Sequence, residues 1–309
     1  NTPSYKKMIE FVEQHLAVFI DPSERVFFVH LLLALVAASA VSSYHESKFD
    51  LKEQLGSLFN RKYWFNRSTF VDYLLLVINA LMKGLLIIPI VGTKFAGAFA
   101  FGKFLQLNVG DFMITGVPWI IIAVGFSFVL FTFDDVSRFL LHRVMHKYEF
   151  LWRFHRVHHS ATTLTPFTVF RTHPVESLLY FFRGFLVFTF VTGIALWLFR
   201  GQLTALEILG VEAFGFTFNM LFANLRHSHI YLSFGRLERW IISPAQHQLH
   251  HSRHHGHPNY GACFALWDRI SNSCLQSAPK NLQGPLQFGL PLTELEVAKQ
   301  SKPSAQSYA

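Results

Sequence analysis

Cysteine and charged residues are both scarce in this chain of 309 residues. It has two cysteines, Cys263 and Cys274, which excludes a disulfide scaffold and any zinc or iron–sulfur site made of four cysteines. Charged residues make up 15% of the sequence, whereas soluble domains contain about a quarter. Hydrophobic residues make up 51%, which excludes an intrinsically disordered chain, because disorder needs low hydrophobicity and high charge.

The positive net charge of +8 is weak support for nucleic-acid binding. Basic loops beside an anionic membrane produce the same excess, so we predict a membrane and a lipid as partners and no nucleic acid. The 35 phenylalanines favour a protein that faces or binds lipid.

Five apolar runs come close to the length of about 20 residues that crosses the hydrocarbon core. A large soluble helical core would not need several runs this long with so little charge. We therefore predict an all-α integral membrane protein with about four to five transmembrane helices, and we expect segment 94–107 to be re-entrant or interfacial. The runs are 26–41, 70–91, 112–133, 177–199 and 203–225.

Lysine and arginine in the loops predict the orientation. They concentrate in 42–69, in 134–176 and in the region after 225, which the positive-inside rule places on the cytoplasmic side, with the N-terminus outside. No cleavable signal peptide is evident. We expect a multi-pass protein of a bacterial inner membrane, or of the endoplasmic reticulum if the source is eukaryotic.

Three regions follow from this organisation. Residues 1–133 are predicted to hold the N-terminal membrane helices. Residues 134–276 form a histidine-rich region that includes a membrane hairpin at 177–225, and residues 277–309 form a surface tail.

Histidine is the most informative residue type, because 14 of the 17 histidines lie between His142 and His257. They form one HxxxH box and two HxxHH boxes, and residues three or four apart share one face of a helix. Imidazole is the commonest neutral metal ligand. Eight box histidines exceed what one metal ion can use, so the boxes predict two metals. The eight box histidines are His142, His146, His155, His158, His159, His247, His250 and His251.

Two local patterns predict how the boxes are presented. His146 and His155 are nine residues apart, roughly half a revolution, so one unbroken helix would point the first two boxes in opposite directions. We therefore predict a break near 147–150. The residues Ser243-Pro244-Ala245-Gln246 have the pattern of a capping box, which predicts that a helix begins there and carries the third histidine box.

Two acidic residues precede the first box. Asp135 lies two helical turns before His142 and could orient a ligand histidine through its second ring nitrogen. The alternative is a carboxylate at the helix surface. The neighbouring Asp134 is predicted to be solvated.

Together these residues resemble the fatty acid hydroxylase / sterol desaturase superfamily, which comprises integral-membrane, non-haem di-iron oxygenases. The match extends from about Asp135 to Asp268 and is most similar to the bacterial sterol-desaturase-like branch, which also resembles alkylglycerol monooxygenase. It is carried by the boxes and by the words Trp152-Arg-Phe-His155-Arg-Val-His158-His159-Ser160-Ala161, Arg171-Thr-His173-Pro174-Val-Glu176, Ser243-Pro244, Asn259-Tyr260-Gly261 and Trp267-Asp268-Arg269.

The sequence departs from the family pattern in two places. Ile270-Ser271-Asn272 stands where Phe-Gly-Thr is common, and His229 stands where the family often has Asn two residues after a histidine. The second departure leaves open whether His227 alone or both histidines bind metal. These departures bear on the expected substrate and the expected set of metal ligands more than on the expected reaction.

The resemblance implies a cytoplasmic helical cap that holds two iron ions, with zinc as a possible replacement on purification. His173 is interpreted as a helix-cap residue or as an outer contact to the metal ligands, and a ligand role for it stays open. His254, His255 and His257 are expected in a loop. The implied ligands are His142, His146, His155, His158, His159, His227, His229, His247, His250 and His251.

The implied reaction is the O2-dependent hydroxylation, or desaturation, of an unactivated C–H bond in a lipid. The sequence has no Gly-x-Gly-x-x-Gly nucleotide-binding motif, no Cys-x-x-Cys-His haem site and no cysteine cluster. We therefore expect an external electron donor of the ferredoxin or cytochrome type, with its reductase, to dock on the basic cytoplasmic surface.

Three other functions compete with this interpretation. A membrane-embedded metal-dependent hydrolase would usually carry HExxH, and here no acidic residue stands within a box. A metal transporter would have its histidines within the apolar runs. A non-catalytic lipid-binding or metal-binding relative would not need intact boxes.

Overall fold

The computed structural model describes residues 60–200, 224–228, 230–277 and 286–290, together with Val36, Ser39 and Gly56. These parts are mostly helical and contain no β-strand, only two isolated antiparallel bridges, Ile241–Phe264 and Ser252–Phe288. The predicted all-α class is confirmed for them. The predicted run 26–41 and nearly all of 203–225 lie outside the described residues, so the number of spans stays a prediction.

The described part of the chain contains ten α-helices. A π-helical turn at Lys83–Ile87 joins the second helix to the third, and short 3-10 turns lie at Pro166–Phe170 and Gly235–Arg239. The helices are α1 (Arg61–Trp64), α2 (Arg67–Met82), α3 (Ile88–Val91), α4 (Lys94–Asn108), α5 (Trp119–Lys147), α6 (Glu149–His159), α7 (Pro174–Leu198), α8 (Asn224–Arg226), α9 (Pro244–His251) and α10 (Leu266–Ile270).

Among the described residues, three helical stretches are long and apolar enough to cross a membrane: Arg67–Asn108, Trp119–Lys147 and Pro174–Leu198. Their most apolar windows have mean hydropathies of 2.4, 1.8 and 1.8. Many large apolar side chains on them are exposed, as at Ile90 (81%) and Trp119 (62%). Because exposed apolar surface is unfavourable in water, these surfaces fit a lipid environment.

Segment 94–107 is helical, and its expected re-entrant or interfacial position in a membrane stays a prediction. It forms α4, which begins after Gly92 at φ 83° and packs lengthwise against α7. A Cβ added at Gly102 would lie 3.1 Å from the carbonyl oxygen of Gly193, and one added at Gly97 would lie 2.5 Å from Thr189 Oγ1. Small residues permit this close approach of backbones, as is common between membrane helices.

The three long stretches form a bundle with two distinct ends. Gly97 faces Thr189 and Gly102 faces Gly193, so α4 and α7 run in the same direction. Helix α5 runs in the opposite direction. The segment just before α5 contacts Leu198 at the end of α7, whereas Asp134 in the middle of α5 meets Arg183 in the first half of α7. At the far end, the Ile114 amide donates to Leu198 O at 2.8 Å.

Asp134 connects these helices and is not simply solvated, as the sequence suggested. Its carboxylate accepts hydrogen bonds from Arg138 Nε on α5 at 2.6 Å and from Arg183 Nη2 on α7 at 2.8 Å. Both arginines need a partner in an apolar helix pair, and a single half-buried carboxylate serves both.

The other end of the bundle gathers the basic regions of the sequence. The Tyr63 hydroxyl donates to the Leu164 carbonyl, and buried Asp72 on α2 accepts from Thr168 Oγ1 at 2.7 Å and from Arg171 Nη1 at 3.1 Å. Arg171 also donates to Val157 O near the end of α6. Residues 60–72 and 147–173 therefore share one end, as the loop charges predicted, whereas its cytoplasmic location stays a prediction.

Candidate metal centre

The first two histidine boxes are turned towards each other by a break in the helix. Helix α5 ends at Lys147, Tyr148 has extended backbone (φ −105°, ψ 120°) and α6 begins at Glu149. The predicted break near 147–150 is confirmed. As a result, the rings of His142 and His155 lie 4.8 Å apart between centroids.

The third box lies on a helix that begins as the sequence predicted. Ser243 Oγ accepts from the Gln246 amide at 3.0 Å, and Gln246 Oε1 accepts from the Ser243 amide at 3.1 Å, which completes the capping box. Buried Glu238 supports this cap by accepting from Ser243 Oγ at 2.8 Å. All eight residues of α9 are buried, so the box faces the protein interior.

Nine of the ten predicted ligand histidines fall into two groups, and the tenth, His229, lies outside the described residues. Within each group the ring nitrogens that could bind one ion all lie within 4.8 Å of one another. The five-histidine group is His142, His146, His155, His159 and His250. The four-histidine group is His158, His227, His247 and His251.

Each HxxHH box contributes to both groups. On α6, His155 and His159 join the five-histidine group while His158 joins the other. On α9 the division is reversed, since only His250 joins the five-histidine group. The two helices therefore lie across both groups, which is how a spacing of three and four residues can serve two ions.

The spacing of the nitrogens fits metal ions. His227 Nε2 lies 3.3 Å from His158 Nε2, 3.2 Å from His251 Nε2 and 3.0 Å from His247 Nε2. A metal–nitrogen bond of about 2.0–2.1 Å sets the nitrogens of a tetrahedral site about 3.3 Å apart. In the five-histidine group, the buried Nε2 atoms of His142 and His250 have no hydrogen-bond partner among the described residues.

The histidines whose pKa is lowered by burial are neutral at pH 7, which is the form that binds metal. Burial lowers the pKa of both His155 and His158 to about 3, with neighbouring histidines as a further cause. Burial likewise lowers the pKa of His159, His250 and His251 well below the ordinary value. The centre is therefore a dry set of uncharged nitrogen donors, which suits iron, zinc or copper.

Three rings of the five-histidine group are fixed through their second nitrogen. His142 Nδ1 lies 2.8 Å from Tyr260 O, and His250 Nδ1 lies 2.7 Å from Pro258 O. His155 Nδ1 lies 2.8 Å from Glu176 Oε1. A carbonyl oxygen can only accept, so Nδ1 carries the proton in His142 and His250, and their Nε2 atoms are free to bind a metal.

Glu176 was not singled out from the sequence, although it lies in the motif Arg171-Thr-His173-Pro174-Val-Glu176, which resembles the family pattern. The useful signal was an acidic residue in the first turn of a long apolar helix, where a carboxylate needs a partner. In the structure Glu176 is 1% exposed and its partner is His155.

Asp135 has a different role from the one considered. Its carboxylate accepts from the Cys263 amide at 2.7 Å, the Phe264 amide at 3.1 Å and Trp267 Nε1 at 2.8 Å. These partners are not histidines, so the expected orientation of a ligand ring by Asp135 is wrong. Instead, Asp135 anchors the 263–267 segment to α5.

The segment that supplies the two carbonyls is itself held in place. Asp268 accepts from the Tyr260 amide at 2.8 Å and from the Gly261 amide at 2.7 Å. Asn259 has φ 63°, in the left-handed region, and its side-chain amide donates to Gln246 O at 3.1 Å. Asp268 and Asn259 thus position the carbonyls of Pro258 and Tyr260 against the histidines.

His173 caps helix α7, as one of its two interpretations held. Its Nδ1 accepts from the Val175 amide at 3.1 Å, and its ring lies 4.9 Å from that of Phe154. His173 is in neither histidine group.

Of the three histidines after the third box, His257 approaches the centre. Its ring lies 5.0 Å from that of His146, 4.9 Å from that of His159 and 5.2 Å from that of Trp152. His255 instead contacts Ser252 Oγ through Nδ1 at 2.8 Å. The expectation that these are loop residues holds, and His257 covers one side of the five-histidine group.

Comparison with known proteins identifies the same part of the chain. Residues 127–273 match the family model described as "Fatty acid hydroxylase". Alkylglycerol monooxygenase of Danio rerio is 25% identical over 48% of this chain and 30% of its own length. Ornithine lipid hydroxylase OlsE of Rhizobium tropici is 27% identical over 44% of this chain and 38% of its own length.

A third relative aligns over more of the chain. Lathosterol oxidase of Mus musculus is 26% identical over 61% of this chain and 56% of its own length. The chain therefore spans less than two thirds of each of these relatives. No solved structure matches it. The resemblance inferred from the histidine boxes is confirmed.

Proposed function

We propose that this protein oxidises an unactivated C–H bond of a lipid with O2, by hydroxylation or desaturation, since residues 127–273 match the fatty acid hydroxylase family model. The observation that carries the proposal is the pair of buried histidine groups at the end of an apolar helix bundle. Three relatives named as a lipid hydroxylase, a monooxygenase and a sterol oxidase support the same reaction class.

The two groups would each hold one iron ion, with zinc as a possible replacement on purification. His229 would be a further ligand, since it lies two residues after His227 of the four-histidine group. Two irons would supply the O2-dependent oxidation of a C–H bond that amino-acid side chains cannot perform. The spacing of the ring nitrogens and the unpartnered buried Nε2 atoms support this assignment.

The protein's own residues would orient the ligands and exclude water. Glu176 and the carbonyls of Pro258 and Tyr260 hold three rings with Nε2 directed inward. Asp268 fixes the segment that carries the two carbonyls. Burial of the whole of α9 keeps bulk water away from the oxidising centre.

A lipid substrate would reach the centre along the helices that carry it. His142 and His146 stand on the last turns of α5, whose earlier turns expose apolar side chains such as Val124 and Phe128. An acyl or sterol skeleton lying against this surface can extend towards the histidines without leaving an apolar environment.

Electrons would come from a second protein. Hydroxylation puts one atom of O2 into the product and reduces the other to water, which takes two electrons and two protons. The sequence carries no nucleotide-binding or haem motif, so a ferredoxin-type or cytochrome-type donor with its reductase would supply them. Exposed Arg143, Lys147, Arg153 and Arg156 around the histidine end offer a basic docking surface, which we place in the cytoplasm.

The proposal is tested by comparing lipid extracts of cells that express the protein with extracts of cells that express His158→Ala. We expect mass spectrometry to show a lipid that gains one oxygen atom, labelled under 18O2, or loses two hydrogens, and we expect none from the variant. Membrane insertion of both proteins is checked by fractionation. Product formation by His158→Ala, or lipid cleavage without uptake of 18O, would contradict the assignment.

A further inference from the structure

We propose that the two histidine groups are unequal metal sites: the five-histidine group binds its ion first and more tightly, and Glu176 is the positioning residue behind this order. The inference rests on the ligand assignment of the proposed function. It does not depend on which lipid is oxidised, or on whether one is.

The first argument is the difference in how the rings are held. In the five-histidine group, His142, His155 and His250 each have an oxygen within 2.8 Å of Nδ1. Such contacts fix the tautomer and the ring orientation, so Nε2 is ready to bind before a metal arrives. The carbonyl contacts are in turn fixed by Asp268 and Asn259.

Three of the four rings in the four-histidine group show no such contact among the described residues. The Nδ1 atoms of His158, His247 and His251 are buried and have no hydrogen-bond partner among the described residues. Within the described part of the chain no outer contact sets these three tautomers, so metal binding would order the rings. Loss of outer contacts typically costs about 10–100-fold in metal affinity.

The second argument is the local charge. The Glu176 carboxylate contacts His155 of the five-histidine group directly, whereas it acts on His158 of the four-histidine group through its charge alone. A negative charge in direct contact with a ligand ring favours a bound cation there. The second oxygen of Glu176, Oε2, is buried and has no hydrogen-bond partner among the described residues. Charge and ring orientation therefore favour the same group.

The experiment is a titration of the metal-free, full-length protein in detergent with Zn2+, in competition with a chromophoric chelator. We expect two zinc ions per chain in two affinity classes at least about tenfold apart. His142→Ala should weaken the tighter class only, and His158→Ala should weaken the weaker class only. Zinc binding is read directly, so failure to oxidise lipids would not affect this result.

Glu176 is tested by a graded pair of variants. Glu176→Ala should weaken the tighter class by about 10–100-fold, and Glu176→Gln should weaken it less, because the amide oxygen still accepts from His155 Nδ1. Asp111→Asn, an acid-to-amide change at the opposite end of the bundle from both groups, is the matched control and should leave both classes unchanged. An unaltered weaker class shows that a variant is folded.

Three results would overturn the proposal. One is a single class of two equal sites in the unmodified protein. Another is loss of the tighter class in His158→Ala. The third is equal weakening of both classes by Glu176→Gln, which would assign Glu176 a general structural role.

Discussion

Replacement of Asp135 by Asn tests whether this carboxylate supports the 263–267 segment or orients a metal ligand. Its two oxygens accept from three N–H donors, those of Cys263, Phe264 and Trp267. An asparagine can keep its oxygen towards Phe264 and Trp267, which share Oδ2, but its NH2 group then faces the Cys263 amide. One buried N–H loses its acceptor.

The expected cost follows from that count. An unsatisfied buried donor costs about 1–3 kcal/mol. An unfolding entropy of about 2.1 cal/mol/K per residue gives about 1.5 °C per kcal/mol for this chain of 309 residues, so the midpoint of thermal unfolding in detergent should fall by roughly 1.5–4.5 °C. The tighter zinc affinity should change by less than about threefold, because Asp135 contacts no histidine.

The assay pairs a thermal melt with the zinc titration of the same preparation. Asp111→Asn, on the opposite end of the bundle, is the control for removal of one negative charge and should give a much smaller shift than Asp135→Asn. If Asp135→Asn weakened zinc binding tenfold while the melting temperature stayed constant, Asp135 would act on a histidine after all, and the geometric argument would fail.

Three further predictions follow from the same contacts. Gly102→Leu should destabilise the protein by about 1–3 kcal/mol, because even the Cβ atom of the new side chain would crowd the Gly193 carbonyl. The control is Gly125→Leu, where a Cβ would have no atom within 4 Å, and it should lower the melting temperature by no more than about a degree or two. Arg171→Met should cost about 3–5 kcal/mol by leaving the Asp72 carboxylate buried and unpaired, and an unchanged melt would show that this pair is not needed. Removal of metal by a chelator should abolish oxidation and lower the melting temperature, and Fe2+ but not Mg2+ should restore both, because all-imidazole sites do not suit Mg2+.

The features that the sequence predicted correctly are those governed by local geometry. The break at Tyr148 follows from counting nine residues at 3.6 per turn, and the start of α9 follows from a capping box of four adjacent residues. Both depend on distances of one or two helical turns. Such distances are set by the backbone alone, so no tertiary contact is needed to infer them.

The features that were missed or wrong depend on partners far along the chain. Asp135 was correctly placed on the histidine face of its helix, but its partners lie 128 to 132 residues later. Asp72 likewise meets Arg171, 99 residues away. Helical periodicity defines a face but not what packs on it, so the partner of a buried carboxylate has to come from the tertiary structure.

The division of the histidines into two groups shows where pattern and packing meet. A helix with histidines at positions i, i+3 and i+4 presents three rings over one turn. Two such helices supply six rings, which is more than one ion needs. Because α6 gives two rings to the five-histidine group and α9 gives two to the other, each helix is tied to both candidate ions. Displacing either helix would therefore disturb both sites, whereas replacing one histidine disturbs one. Single substitutions such as His142→Ala and His158→Ala can consequently distinguish the two sites, although the boxes that contain them cannot be separated.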